Sequence, residues 1–384
     1  MRFRISSGDA ASPSRARRRP SLKVMVIAAV TSLMLAAGAM AATTWTVPLR
    51  HGGTFTLAPS IVAKIKAHQP INYVFSYGSC SIQGFSQQYQ AGYDDSLPVA
   101  NSIYPTKGTR LCPPETQQNV TEQINQIDAL LNTNQIDCLS IEPQDSTSMA
   151  GVVAQALAKG IPAFTVGLST FGNELTNFTQ IPQTEGATAA KTVLAYMKAH
   201  NLHFTTFAVS GGDPTQYWAI NRAKGFHLAI MKAIPNAKFV TTETSMLNTT
   251  YTPGTTYDTY KAFFSGAGKN VQVIENVDIG GGIAAKVLAA DGLSGKAFSV
   301  GWNDTPDQVA AIKAGTEIAL FDQNWPQQAA FGGVACAEFM KTGKVFPNIQ
   351  VEHAITKANL AQGLAQLANF KKYALTGLTN GVPK

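Results

Sequence analysis

Charge is scarce in this chain. Only 14% of the 384 residues are Asp, Glu, Lys or Arg, which excludes a disordered polyelectrolyte and a charge-laced coiled coil. Basic excess is scarcer still outside one stretch. In the first 24 residues, Arg2, Arg4, Arg15, Arg17, Arg18, Arg19 and Lys23 stand against Asp9, so that stretch carries +6 of the formal +7 and the other 360 residues are near neutral. A near-neutral body cannot track a phosphate backbone, whose affinity comes from many Lys and Arg contacts, so no nucleic-acid partner is expected.

Catalytic motifs are missing as well. There is no G-x-S-x-G, G-x-G-x-x-G or G-x-x-x-x-G-K-[ST], and the histidines (His51, His68, His200, His203, His227, His353) and cysteines show no H-E-x-x-H or C-x-x-C spacing. These are the arrangements that activate a serine, cradle a nucleotide or hold zinc. No enzyme, metal or other cofactor is therefore expected. Gly280-Gly281-Gly282 opens a helix after an apolar run, and reads as close helix–sheet packing rather than a nucleotide turn.

Long hydrophobic runs are limited to one, Val24 to Ala37, followed by Gly38-Ala39-Met40-Ala41-Ala42. It falls short of the roughly 20 residues of a membrane span. With basic residues before it and a small-residue site after it, it reads as a signal peptide over residues 1–41, cleaved before Ala42. Arg18-Arg19-Pro20-Ser21-Leu22-Lys23 approaches a twin-arginine signal, but Ser21 stands where that pattern prefers a bulky apolar residue, and the general secretory route is favoured. The expected location is the periplasm or another extracytoplasmic space, which permits disulfides. Of the four cysteines, Cys80 and Cys112 lie in polar loops after adjacent strands and are expected to pair. Cys138 and Cys336 lie in apolar runs and read as buried small hydrophobes.

What is present is a repeating unit. After an extended arm over residues 42–67, short apolar runs alternate with amphipathic segments: Ile71–Ser76, Asp137–Ile141, Ala163–Leu168, Phe204–Ser210, Lys238–Thr242, Val271–Asn276, Ala297–Trp302 and Glu317–Phe321. Consecutive apolar positions in runs this short describe strands covered on both faces, and the alternation describes an α/β parallel sheet. Eight repeats permit one barrel or two open sheets. The irregular stretch 169–180 reads as the passage between two sheets. Polar and aromatic residues cluster where the runs end: Tyr77, Asp278, Trp302, Asn303, Gln323 and Trp325. Ligands bind outside the carboxyl ends of strands in open parallel sheets, where amides and carboxylates meet hydroxyls and Trp faces, Trp218 included, meet the C–H face of a ring.

From about Ile71 to Val351 the chain resembles type I periplasmic sugar-binding proteins, the ribose/galactose branch of receptors for ABC importers. The resemblance is carried by Asp128-Ala129-Leu130-Leu131, Gln135 to Asp145 and Ala156 to Ala163, by Arg222-Ala223-Lys224-Gly225-Phe226, by Gly301-Trp302-Asn303 with its following helix, and by Asp322-Gln323-Asn324. It implies two doubly wound parallel-sheet lobes joined by three crossings near Gln180–Gln183, Asp322–Asn324 and Pro347–Val351. The N-terminal lobe would take residues 68–180 plus 324–348, and the C-terminal lobe 181–323 plus 349–384. It also implies a monomeric receptor that delivers a sugar-like ligand to a membrane permease. Its ligand positions fall on Gln83, Phe85, Arg222, Asp278, Asn303 and Gln323. Arg222 would act on ligand directly, so its loss should weaken binding and leave ligand-free stability almost unchanged. The family's ligand Asp-Arg pair falls on Gly167 and Leu168, so a complete ribose site is not expected. The alternatives are a receptor of this fold for a non-sugar metabolite or signal molecule, and, behind it, a secreted enzyme.

Overall fold

The computed structural model describes residues 45–82, 85–115, 119–179, 181–347 and 353–368; the expected leader, Gln83, Gln180 and the segment 348–352 lie outside them. The chain begins with a hairpin, β1 (Thr46–Pro48) and β2 (Thr54–Thr56), and a helix, α1 (Pro59–Lys66). Here the expected extended arm is corrected. Val47, Phe55, Leu57, Ile61 and Ile65 all bury their side chains in the first hydrophobic core, so the segment is part of the first lobe. Its alternation of one apolar residue between polar ones is too short to register as a strand in sequence.

Five parallel strands form the first sheet: β3 (Ile71–Ser76), β4 (Thr106–Leu111), β5 (Cys138–Ile141), β6 (Ala163–Gly167) and β7 (Thr176–Thr179), in spatial order β4-β3-β5-β6-β7. Between them run α2 (Phe85–Ile103), α3 (Val120–Asn132) and α4 (Ser146–Ala158). Helix starts follow from side-chain caps: Asn119 accepts from the Glu122 N–H at 3.0 Å and Asp145 from the Ser148 N–H at 2.6 Å, each satisfying an otherwise orphaned donor. Strand β4 reads Thr-Lys-Gly-Thr-Arg-Leu and is an edge strand, so it carries no apolar run to detect. Strand β7 falls within the stretch read as passage; its Phe178 is wholly buried against Phe331 at 4.8 Å between ring centroids.

The second half holds α5 (Pro182–Ala199), β8 (Thr206–Gly211), α6 (Tyr217–Ala233), β9 (Lys238–Phe239), β10 (Leu247–Asn248), α7 (Pro253–Ser265), β11 (Val273–Asn276), α8 (Gly281–Ala290), β12 (Phe298–Trp302), α9 (Pro306–Ala314) and β13 (Glu317–Asp322). Its sheet runs β10-β8-β11-β12-β13-β14, with β9 also on β8. The last strand, β14 (His353–Thr356), is antiparallel to β13. The first three apolar runs thus share one sheet and the next five another, which excludes the single barrel. Helices α5 and α6 approach closely. A Cβ on Gly186 or Gly225 would overlap the facing helix backbone at Arg222 or Gln183, so glycine is what admits the contact that brings Arg222 beside α5.

After β13 the chain returns to the first sheet as α10 (Trp325–Thr342), buried along nearly its whole length, before α11 (Leu360–Ala368) closes the described chain. Two disulfides tie this arrangement. Cys80 and Cys112 are bonded, Cα to Cα 5.2 Å, joining the loops after β3 and β4. Cys138 and Cys336 are bonded too, Cα to Cα 6.0 Å, joining β5 to α10, which corrects their reading as separate buried hydrophobes. Both are wholly buried, but only the return of α10 across the sheet brings them together. Among the described residues no helix is long and apolar enough to cross a membrane.

Candidate functional site

The carboxyl ends of the two sheets border a cleft. On the first-sheet side, Phe85 and Tyr89 stand one turn apart on α2 with ring centroids 4.8 Å apart, and Trp325 meets Phe85 edge-on at 5.1 Å. Such edge-to-face contacts hold the rings as one rigid apolar wall. Tyr77 lies behind it, 1% exposed and stacked on Tyr89 at 5.6 Å. Tyr89 donates from its hydroxyl to Gln328 Oε1 at 3.1 Å. Glu142, directly after β5, also lines the cleft and accepts from the Gly78 N–H at 3.3 Å and from Gln144 Nε2. Gly167 ends β6 at φ +73°, where a Cβ would press on Glu142 Cγ and the Tyr89 hydroxyl, both at 3.1 Å. A left-handed backbone and close neighbours together favour glycine there.

On the second-sheet side, Trp218 and Arg222 are one turn apart on α6. Arg222 is 1% exposed. Its Nε and Nη2 donate to Glu185 Oε2 at 3.0 and 2.7 Å, Nη1 to the Val277 carbonyl at 2.6 Å, and Nη2 to Gln323 Oε1 at 3.3 Å. The guanidinium lies 3.7 Å from the Trp302 ring centroid and 5.2 Å from that of Trp218, within cation–π range. Gln323, at the crossing after β13, donates from Nε2 to Asn303 Oδ1 at 3.2 Å. Asp278 Oδ1 accepts from the Ile279 N–H at 2.8 Å, while its Oδ2 makes no hydrogen bond within 3.5 Å among the described residues. Tyr251 is a second aromatic member of this wall beside Trp218, its hydroxyl turned toward Asp278.

Of the residues expected at the site, Phe85, Trp218, Arg222, Asp278 and Gln323 border the cleft. Three do not. Tyr77 backs Tyr89, Trp302 is wholly buried beneath Arg222, and Asn303 anchors Gln323. Gln83 lies outside the described residues. Tyr89, Glu142 and Tyr251 also line the cleft, unforeseen from the sequence. The first two leave a signal in sequence: Tyr89 is four residues from Phe85, and Glu142 follows an apolar run as Asp278 does. Tyr251, in an irregular segment after β10, leaves none. The expected neutrality of Arg222 toward ligand-free stability is also corrected, because its partner is the buried Glu185.

The sequence profile of the periplasmic binding protein domain family matches residues 73–344, a span that carries the parallel strands of both sheets, but for the first two residues of β3, and the cleft. The chain belongs to the periplasmic binding protein family. That family consists of solute-binding proteins rather than enzymes. By structure the chain is similar to the Caulobacter myo-inositol binding protein bound to myo-inositol (TM-score 0.63, 19% identity, 76% of this chain and 95% of that one). It is also similar to a solute-binding protein of an ABC transporter from Burkholderia graminis C4D1M in complex with D-arabinose (TM-score 0.64, 18% identity, 76% and 96%). A third is the ABC transporter solute-binding protein from Bacillus halodurans C-125 with bound myo-inositol (TM-score 0.64, 17% identity, 77% and 98%). At these identities the likeness is one of fold. No curated protein matches the chain significantly by sequence.

Burial gives this periplasmic binding protein unusual acids. Desolvation pushes Glu142 up to about 7, against the weaker downward pull of the Gly78 N–H and Gln144. Glu275 and Glu317 are raised well above the usual carboxylate range by burial, and Asp322 is raised by burial and the neighbouring Asp304. In each case the folded protein holds its proton to higher pH than the unfolded chain. These acids therefore cost the fold nothing below the ordinary carboxylate range, and their contribution becomes increasingly unfavourable as pH rises toward 7, where that of Glu142 is nearly complete. Glu142 alone would account for on the order of 3 kcal/mol. Urea unfolding between pH 5 and 8 should show a falling free energy, with a shallower fall in Glu142→Gln. Equal slopes in the two proteins would contradict this assignment.

Proposed function

We propose that the protein is an exported receptor that binds a small polyhydroxylated, sugar-like molecule between its lobes and delivers it to the permease of an ABC importer. The observation that carries this reading is the cleft itself. Aromatic faces from both sides flank hydrogen-bonding groups at the strand ends, an arrangement that suits a ring with an apolar face and polar edges. Structural neighbours bound to myo-inositol and D-arabinose support it, as does the leader read over residues 1–41. Between β13 and α10 the connection is only Gln323 and Asn324, and so short a connection can absorb the rotation when lobes close over a ligand. Receptor and permease would meet as monomer and membrane complex.

A second reading, a receptor for a non-sugar metabolite, is favoured by one observation. Gly167 and Leu168 at the end of β6, with Ile82 and Ile279, offer the cleft no side-chain hydrogen bond. Calorimetry on the protein starting at Ala42, against pentoses, hexoses, inositols and non-sugar metabolites, separates the two. A sugar or cyclitol bound and recovered unchanged is the expected result. Chemical turnover of a bound compound, or binding by none of the sugars and cyclitols, overturns the leading reading.

A further inference from the structure

The cleft holds more acid than base. Glu142 follows β5 on one side and Asp278 follows β11 on the other, and both line the cavity at 6% and 7% exposure. Arg222 is the one Lys or Arg among the described lining residues, and it is already held by Glu185 at 2.7 Å, by the Val277 carbonyl and by two tryptophan faces. Counting Glu185, the cleft and its wall hold three carboxyls and one guanidinium. A buried carboxylate is costly unless a cation or a full set of donors meets it. Asp278 is approached by the Ile279 and Gly212 backbone and by the Tyr251 hydroxyl, yet its Oδ2 makes no hydrogen bond within 3.5 Å among the described residues, and Glu142 has only an amide and one backbone N–H. The remaining wall is aromatic: Phe85, Tyr89, Trp218, Tyr251 and Trp325. Aromatic faces attract organic cations, most strongly where water is excluded.

Taken with the receptor reading above, on which it rests, we infer that the natural ligand is a polyhydroxylated amine whose ammonium group is met by the carboxyls of Glu142 and Asp278. A neutral polyol could hydrogen-bond either acid but would do nothing to favour its ionised form, which burial disfavours in both, whereas an ammonium group favours it. A metal ion fits less well, since no group of three or more His, Cys, Asp or Glu able to hold one occurs among the described residues. Glu142 is suited to the role because, held near 7 by burial, it is driven to its charged form when a cation arrives beside it.

The test is calorimetry at pH 7.5 on the intact mature protein with matched sets of probes: D-glucose, D-galactose and D-mannose, their 2-amino derivatives, and the uncharged N-acetyl derivatives. The expected result is that at least one amine binds ten-fold or more tightly than both its parent sugar and its N-acetyl form. Glu142→Gln and Asp278→Asn, close isosteres without the charge, should each reduce that ratio several-fold. The wild-type comparison decides the matter even if a variant folds poorly. Parent sugars binding as tightly as their amines would overturn the inference and leave the receptor reading standing. Binding of no probe would count against the receptor reading, and against the inference with it.

Discussion

Replacing Arg222 with alanine is expected to destabilise the ligand-free protein by about 3–5 kcal/mol, the range seen when one partner of a buried ion pair is removed. Glu185 would be left as a charge with no exposure to water, the Val277 carbonyl would lose its 2.6 Å donor, and Trp302 would lose the cation 3.7 Å from its ring centre. Arg222→Lys should recover only part of this, because a single ammonium cannot reproduce a fork that reaches Glu185, Val277 and Gln323 together. Urea unfolding monitored by tryptophan fluorescence measures the effect. An Arg222→Ala protein within about 0.5 kcal/mol of wild type, the size of an ordinary surface change, would show that the pair contributes little. Ligand affinity should fall as well, as a consequence of a disordered wall and a displaced Gln323. The guanidinium makes at least four hydrogen bonds inside the protein, so it shapes the cleft more than it binds.

Removing the Cys138–Cys336 bond by a double replacement with serine should cost on the order of 5 kcal/mol in the loop-entropy model, because the closed loop is long. The bond spans 198 residues of sequence and fastens α10 to β5, so its loss frees the one helix that returns to the first sheet. By the same model the Cys80–Cys112 bond, spanning 32 residues, is worth between about 3 and 4 kcal/mol. Thiol counting on the unreduced, denatured protein should find no free cysteine, and unfolding of the double mutant should begin at markedly lower denaturant. Two reactive thiols in the wild-type count would rule out one of the two bonds, and mapping the labelled cysteines to Cys138 and Cys336 would rule out this one. Equal stability of mutant and wild type would show that packing alone holds α10 in place.

How much of this was legible follows from what each residue signals locally. The eight apolar runs are strands because burial on both faces demands consecutive apolar side chains, which is a local property of the sequence. Strand β4 was invisible because an edge strand meets solvent and can be as polar as Thr106 to Arg110. Strand ends bearing Asp278, Trp302 and Gln323 could likewise be located, since a strand's carboxyl end is defined by the run before it. Which of these side chains point into the cleft could not. Trp302 and Trp218 read alike in sequence, yet one is sealed beneath Arg222 and the other is half-buried in the cleft wall.

The sequence by itself determined the α/β class, the short apolar runs that form the buried strands, the Cys80–Cys112 pairing expected from neighbouring loops, and the family motifs. All of these rest on local pattern or on elements close in order. Tertiary structure alone decided that Arg222 belongs to Glu185, that Cys138 reaches Cys336, and that Glu142 and Asp278 share one cleft with no unclaimed cation beside them among the described residues. Each of these depends on segments 37 to 198 residues apart in the chain. Partners at such separations are brought together by the packing of whole elements, which no local run of residues encodes.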